Sequence, residues 1–490
     1  PTIEIDLLDH DEQTDDAETL EAWSRNKAEL RRRTAEQLPF QLDYIHADGR
    51  VAALEYLTAQ ANTSDQIDNW IAKRAAAGVA LCGVATGRTI ISLSNKLMIK
   101  AGITTADLSE VSSDKSVIFD PSVFGLYVRV NQASIKRTDF NGTRKVSTWL
   151  LLPDYLQLAV PMAALVHPKL DSEALKEEID TLKTYLRNEL ETPFPKLQKM
   201  LPLALHSLTG EFSSSTLITD WMPENADVNL HYLSPKASVV LSHYADAMSE
   251  VMGKTIMGEP LHKPSTPQQP GFIGIPTCPT QDAVLALIQG LNAYKTDSSD
   301  IKKTHNQICL NTILMLSFAI GTRHAIDLVP NAMELHHDDL AHFREKRKTR
   351  LVVLPHLLGQ QLRAYDRHRS TLAMAIKGKT TPELPKNLFF IYVNGKATEF
   401  HPSQLNSYLA EFGLSFGCSL NSLRRYLFTT LYEEKAWGVA LDHYIGHATE
   451  GRRPFTPRSG MKLATLRGIA KHVNHLLIDM KWAVQLGLTA

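Results

Sequence analysis

The sequence predicts an α+β chain that is mainly helical, divided into domains, with small sheets among the helices. Three observations predict it. An apolar stripe at helical spacing (Leu175, Ile179, Leu182, Leu186, Leu190) follows a capping Asp171 or Ser172. Runs rich in β-branched and aromatic residues, Val117–Phe119, Leu126–Val130 and Val146–Leu152, surround the turn signal Asn141-Gly142. A stretch rich in proline, glycine and polar residues, Lys254–Pro279, separates two helical patterns and marks the strongest domain boundary. A chain of 490 residues has room for two or three domains, each with its own core. We divide it into a mixed α/β region of unassigned role (1–159), a helical domain (160–262) and a carboxyl-terminal α+β domain (271–490).

Taken in order, residues 1 to about 22 are acid-rich without Lys or Arg, and read as a solvated arm. Helical patterns follow at Glu18–Leu38, Val51–Ala61 and Asp65–Ala77, then the sheet or hairpin of 117–152. After the striped helix Asp171–Leu190 comes Ser238–Met252, which ends at the Pro-rich stretch. Beyond it, Thr280–Tyr294 and Thr304–Ile320 are helical, and the second delivers Gly321-Thr322-Arg323. Two strands flank the basic run Arg344–Arg350, the second being Leu351–Pro355. Helix Leu357–Ala375 and a short strand at Leu388–Val393 lead to a polar-headed helix from Asn421. A turn at Trp437-Gly438 and a helix ending at Gly446-His447 follow, and Met461–Val484 forms the last helix.

Composition narrows the function. The net charge of −1 means that any nucleic-acid surface is local and not a property of the whole chain. Cys82, Cys278, Cys309 and Cys418 are scattered, with no C-x-x-C pair, so neither a disulfide framework nor a zinc site is expected. The apolar runs at Tyr155–Val166 and Ile308–Ile320 are too short to span a bilayer, and no signal peptide is visible. The expectation is a soluble cytoplasmic protein with no metal, no cofactor and no membrane partner.

Three motifs in order carry the chemistry. They are Gly321-Thr-Arg323-His-Ala-Ile-Asp327-Leu328, Asn421-Ser-Leu-Arg424-Arg425-Tyr-Leu, and Gly446-His447, twenty-three residues after Arg424. In this order and spacing they resemble the catalytic domain of the tyrosine recombinase (phage integrase) family over residues 271–490. The resemblance implies a DNA strand transferase that forms a 3′-phosphotyrosyl intermediate. It also implies a helical DNA-clamping domain at 160–262.

Such chemistry needs a nucleophile that keeps the phosphate, cations for the non-bridging oxygens, and an acid for the leaving 5′ oxygen. Arginine suits the cation role, because its planar fork gives two parallel hydrogen bonds and stays charged. The resemblance assigns that clamp to Arg323 and Arg424; an ion pair with Asp327 is the structural alternative for Arg323. It assigns the acid to a lysine in a β-hairpin turn, here Lys346 or Lys348, of which Lys346 lies nearer the family position. His447 would bond the phosphate or assist proton transfer. Arg344, Arg347, Lys348, Arg350, Arg425, Arg452 and Arg453 are candidates for DNA contact, with a carboxylate partner equally open for Arg425. The last helix would pack on its own domain or dock on a neighbouring protomer.

Two positions depart from the family. Asn421 stands where the H-x-x-R motif has histidine, and it can donate to a phosphate but cannot serve as acid or base. The nucleophile position falls at Phe455, with Thr456 the alternative, and no tyrosine follows Tyr444. Phenylalanine has no oxygen to attack phosphorus, so the chain as written should not cleave DNA. Three readings are open. One is a recombinase or integrase of a mobile element, with the nucleophile lost naturally or replaced. Another is a recombinase-like architectural protein that binds DNA without cutting it. The third is an unrelated cytosolic enzyme. The first two share double-stranded DNA as partner, with self-association as dimer or tetramer or pairing with a related recombinase.

Other signals carry less. Gly83–Thr89 has the wrong spacing and an arginine in place of lysine for a phosphate loop. His336-His337-Asp338-Asp339 would alternate faces on a strand and cannot form one ligand set. His472 and His475 share a helix face without a third ligand.

Overall fold

The computed structural model describes residues 45, 47–88, 97–132, 142–210, 213–219, 221, 230–253, 271–294, 300–322, 333–336, 339–345, 348–377, 384–385, 387–434, 437–446 and 462–488. The acidic arm and the Glu18–Leu38 pattern lie outside them. Within them the chain is α+β and mainly helical, with small sheets, as the sequence predicts. No helix is long and apolar enough to cross a membrane among the described residues.

The amino-terminal half is organised by α2 (Trp70–Thr86), which packs between α1 (Ala47–Ala61) and later helices. Its residues from Ala75 to Thr86 are all buried, and a helix apolar on every side belongs in a core. The period predicts Asp65–Ala77. The helix instead begins after Asn69 and runs on to Gly87, whose φ of 61° ends it. Gly83 therefore sits mid-helix, which leaves no loop there to cradle a phosphate.

Strand β1 (Leu97–Ile99) opens a four-stranded sheet, and α3 (Thr105–Glu110) follows it with a capping box at Thr104. Strands β2 (Val117–Asp120), β3 (Gly125–Arg129) and, past the short β4 (Val146–Ser147), β5 (Trp149–Pro153) complete it in the order β1-β2-β3-β5. Only the β1–β2 pair is parallel. Both faces are apolar: Val117, Phe119, Leu126, Val128, Leu150 and Leu152 join the main core. Ile118, Tyr127, Trp149 and Leu151 form a second cluster on the other side.

Helices α4 (Ala159–Leu165), α5 (Ser172–Asn188) and α6 (Phe194–Thr209) pack on α2. Gly78 permits the closest approach, since a Cβ there would lie 3.0 Å from Pro161. Asp171 caps α5 as expected, accepting from the Ala174 amide at 3.0 Å. Two further helices, α7 (Ser213–Ile218) and α8 (Ala237–Met252), close this half. The Pro-rich stretch is not wholly irregular. Within it β6 (Phe272–Ile273) pairs in parallel with β4, and beyond that pair the Arg144 amide donates to the Cys278 carbonyl.

The carboxyl-terminal half begins with α9 (Gln281–Ala293), capped by Thr280, and α10 (Ile301–Ile320), capped by Asp300. From Ile308 to Ile320 every residue of α10 is buried, and it packs on later helices and a hairpin. Strands β7 (Met333–His336), β8 (Leu340–Glu345) and β9 (Lys348–Val353) form an antiparallel sheet, followed by α11 (His356–Lys377). Strand β10 (Phe390–Val393) turns at Asn394-Gly395 into β11 (Lys396–Glu399). That turn has φ of 50° and 77°, the left-handed pair that an Asn-Gly signal specifies, and it leads into a strand beyond those expected from the apolar runs. Helices α12 (Leu405–Ala410), α13 (Leu420–Glu433), α14 (Val439–Ile445) and α15 (Leu463–Asp479) complete the chain. One apolar cluster runs from Ile45 to Trp482, joining both halves.

Candidate functional site

Three helix ends meet at one point, and each belongs to one of the sequence motifs. The first is the carboxyl end of α10, where Gly321 adopts φ 60° and stops the helix. The second is the amino-terminal turn of α13, which carries Asn421 and Arg424. The third is the carboxyl end of α14, where Gly446 caps with φ 79° and its amide donates to the Asp442 and His443 carbonyls. The backbone at Gly321 favours glycine, and a Cβ placed there would crowd Arg424, sitting 3.2 Å from its Cγ and 3.7 Å from Ile445 Cγ2.

The contacts that hold this junction are polar and buried. Arg424 is fully buried and donates from Nη1 to the Gly321 carbonyl. Tyr444 donates to the Ala319 carbonyl at 3.0 Å, fastening α14 to α10. Ser317 Oγ donates to the Leu420 carbonyl at 2.9 Å, fastening α13 to the same helix. Helix ends leave carbonyls and amides without intrahelical partners, and side chains from the neighbouring helices take up two of them here.

Of the predicted site residues, Asn421 and Arg424 lie together at the junction. The Asn421 Oδ1 is buried and accepts no hydrogen bond from the described residues, which leaves it an acceptor at the mouth of α13. Arg425 does not join them. Its Nε donates to the His231 carbonyl at 3.2 Å, and burial holds its pKa below the ordinary value. Arg323, Asp327, Lys346, Arg347, His447, Arg452, Arg453, Phe455 and Thr456 lie outside the described residues. Arg323 follows Thr322 directly in the chain and His447 follows Gly446.

The basic run lies in a hairpin, as expected. Glu345 pairs with Lys348, Arg344 with Thr349 and Phe343 with Arg350, and Lys346 and Arg347, outside the described residues, fall between the two strands in the sequence. The residue before β8 and the first turn of α11 are both tied to α15. Arg467 Nε meets Asp339 Oδ2 at 2.7 Å, and the Leu357 amide donates to Asn474 Oδ1 at 2.8 Å. Asp339 thus serves an ion pair, and His337 and Asp338 of the His-His-Asp-Asp run lie outside the described residues. His472 meets Glu434 at 2.9 Å and packs near Trp437. No group of three or more metal-ligating side chains occurs among the described residues.

No protein-family model matches this chain, and no curated protein does. Among solved structures it is similar to a XerH site-specific recombinase bound to difH substrate in a pre-cleavage complex. The identity is 16% and the TM-score 0.27, over 60% of this chain and 76% of that one. The post-cleavage complex on palindromic difH matches at 15% identity and TM-score 0.26, over 62% of this chain and 82% of that one. A likeness that distant carries no functional weight.

The three motifs were legible in sequence, but their meeting was not, nor was one further contact of Arg424. Tyr232 places its ring 5.0 Å from the Arg424 Cζ. No periodicity or motif around Tyr232 signals that contact.

Proposed function

We propose that this chain binds duplex DNA and is built to hold a scissile phosphate in the manner of the tyrosine recombinases. Residues 271–490 would supply the site and 160–262 a second wall around the duplex. The observation that supports the reading is the convergence of the Gly321, Arg424 and Gly446 helix ends. It brings together three motifs that the sequence relates only by order. In this reading Arg323 and Arg424 neutralise the non-bridging oxygens, and Asn421 donates to one of them. Lys346, or Lys348, protonates the leaving 5′ oxygen. His447 bonds the phosphate.

The nucleophile is the missing part. A tyrosine at 455 would attack phosphorus, release the 5′ hydroxyl and remain joined to the 3′ phosphate. Phe455 has the ring without the oxygen. The chain as written would then bind and align DNA without cutting it, and the second reading, an architectural DNA-binding partner, rests on the same substitution together with Asn421.

A trapped-adduct assay separates the two. Duplexes selected from a random library by binding at low salt would be made with a bridging phosphorothiolate and offered to the chain and to Phe455→Tyr and Thr456→Tyr. A covalent protein–DNA band only after tyrosine is restored supports the recombinase reading. Binding without a band in any version supports the architectural one. Absence of binding at low salt removes both.

A further inference from the structure

Residues 230–236 precede α8 and lie along α13, and they touch it at nearly every second residue. The His231 carbonyl accepts from Arg425 Nε at 3.2 Å. The Tyr232 carbonyl accepts from Thr429 Oγ1 at 3.0 Å, and the Ser234 amide donates to that same hydroxyl at 3.1 Å. The Lys236 amide donates to Glu433 Oε1 at 2.9 Å.

The helix partners Arg425, Thr429 and Glu433 are spaced four apart. From Thr429 to Glu433 the helix rises ~6 Å, and from Ser234 to Lys236 two residues of extended chain advance ~6.6 Å, so this part of the segment keeps register along the helix. Its intervening carbonyls face the other way. Leu233 accepts from the Ile275 amide at 2.8 Å and Pro235 from the Ile273 amide at 3.0 Å. Buried Arg144 closes the edge, with Nη1 donating to the Ser234 carbonyl and to Glu433 Oε1. The segment is a splint with both backbone edges bonded.

The splint presents one ring to the junction. Tyr232 packs edge-on against Phe428 at 6.3 Å between centroids, and its π face meets the Arg424 guanidinium at 5.0 Å. A guanidinium on a long flexible stem gains a defined plane from a ring face on one side and a carbonyl on the other. We propose that Tyr232 is a positioning residue for Arg424. The phosphate site of residues 271–490 is then complete only with a residue contributed from before the Pro-rich stretch. This rests on the recombinase reading for its chemical consequence, though the Tyr232–Arg424 coupling stands apart from it.

The test uses the full chain carrying Phe455→Tyr, or Thr456→Tyr if that version forms the adduct. Tyr232→Phe keeps the ring face and should form adduct within about twofold of its parent. Tyr232→Leu should slow adduct formation about tenfold at saturating DNA while DNA affinity changes by less than about threefold. In an Arg424→Lys background the Tyr232→Leu effect should largely vanish, because the group it orients is gone. An equal effect in both backgrounds, or equal loss in Tyr232→Phe and Tyr232→Leu, overturns the proposal.

If no restored version forms an adduct, the recombinase reading fails by itself. The coupling is then read in urea unfolding of the chain as it stands. Midpoint shifts of Tyr232→Leu and Arg424→Lys that are smaller together than their sum support it, and additive shifts overturn it. Tyr232→Met, of similar bulk but without a π face, serves if the leucine variant does not fold.

Discussion

Arg424 donates a hydrogen bond from Nη1 to the carbonyl of Gly321, across 103 positions of chain. That bond ties the arginine of one motif to the glycine of another, so a change at either residue is felt at both.

Gly321→Ala should destabilise the protein by about 1–2 kcal/mol, the cost of a left-handed backbone for an L-residue. The added Cβ also lies 3.2 Å from Arg424 Cγ, so the side chain must shift. Urea unfolding measures the first effect. In a tyrosine-restored chain, adduct formation should fall further than the stability loss explains. Equal stability of Gly321→Ala and the parent would contradict the φ of 60° at this position.

Arg424→Ala should cost about 3 kcal/mol, because it removes a charged donor and leaves the Gly321 carbonyl buried and short of its partner. Arg424→Lys should restore part of that stability and little of the chemistry, since an ammonium cannot make the paired bonds of a planar fork. In the tyrosine-restored chain the lysine variant should form adduct at least about a hundredfold more slowly. Recovery of the parent rate by lysine would remove Arg424 from the clamp.

The buried histidines of α10 and α11 should make the protein acid-sensitive. His305 Nδ1 and His368 Nε2 are 3.1 Å apart. His305 Nε2 faces the Phe390 carbonyl at 2.9 Å, and the Leu488 amide donates to His368 Nδ1 at 2.9 Å. One tautomer chain satisfies all three bonds with both rings neutral, and a proton on either ring sets two N–H groups against each other or against an amide. Burial pushes the His305 pKa down to about 3, helped by His368 and opposed by the Phe390 carbonyl, and burial lowers His368 to about 4.

Both folded values lie below the unfolded 6.5, so the unfolded chain binds more protons in the window between them. Stability is therefore full above pH 6.5 and declines as pH falls toward about 4 and about 3. Within that window each imidazole contributes a slope of about 1.4 kcal/mol per pH unit. Urea midpoints from pH 7.5 down to pH 5, compared with those of His368→Gln, check it: the variant should start lower and show the shallower slope. Parallel curves would mean the pair is not held neutral.

Affinity for duplex DNA should fall steeply with salt, and the hairpin at 344–350 should carry part of that slope. Each arginine or lysine that neutralises a phosphate contributes about 0.9 to the slope of log K against log salt for B-DNA. Replacing Arg347 and Arg350 by alanine should reduce the slope by nearly two such steps, whereas Arg425→Ala should leave it unchanged, because Nε of that side chain is turned to the His231 carbonyl. A slope change from Arg425 would reverse this assignment.

Much of the fold was legible because its signals are local. Asp171 and Thr280 announce helix starts, and Asn394-Gly395 is a hairpin signal as plain as Asn141-Gly142, although the polar strand after it lacks the apolar run that marks the others. The boundary of α2 was not legible, because Ala72–Ala85 is apolar at nearly every position and offers no stripe from which to judge where burial stops. Gly321 and Gly446 were recognised as motif glycines, and their φ values show the same residues to be helix stops.

The sequence by itself determined the cap of α5, the apolar strand runs, the order of the three motifs and a ring without an oxygen at position 455. Each is a property of neighbouring residues or of a side chain's own chemistry. Only the tertiary structure decided that the ends of α10 and α14 meet the start of α13, and that Arg425, Thr429 and Glu433 each bond a backbone segment. Along the helix those three read as an ordinary polar face. Their partners lie 194 to 197 positions earlier in the chain, and no local energy reports a bond of that span before the core between them has closed.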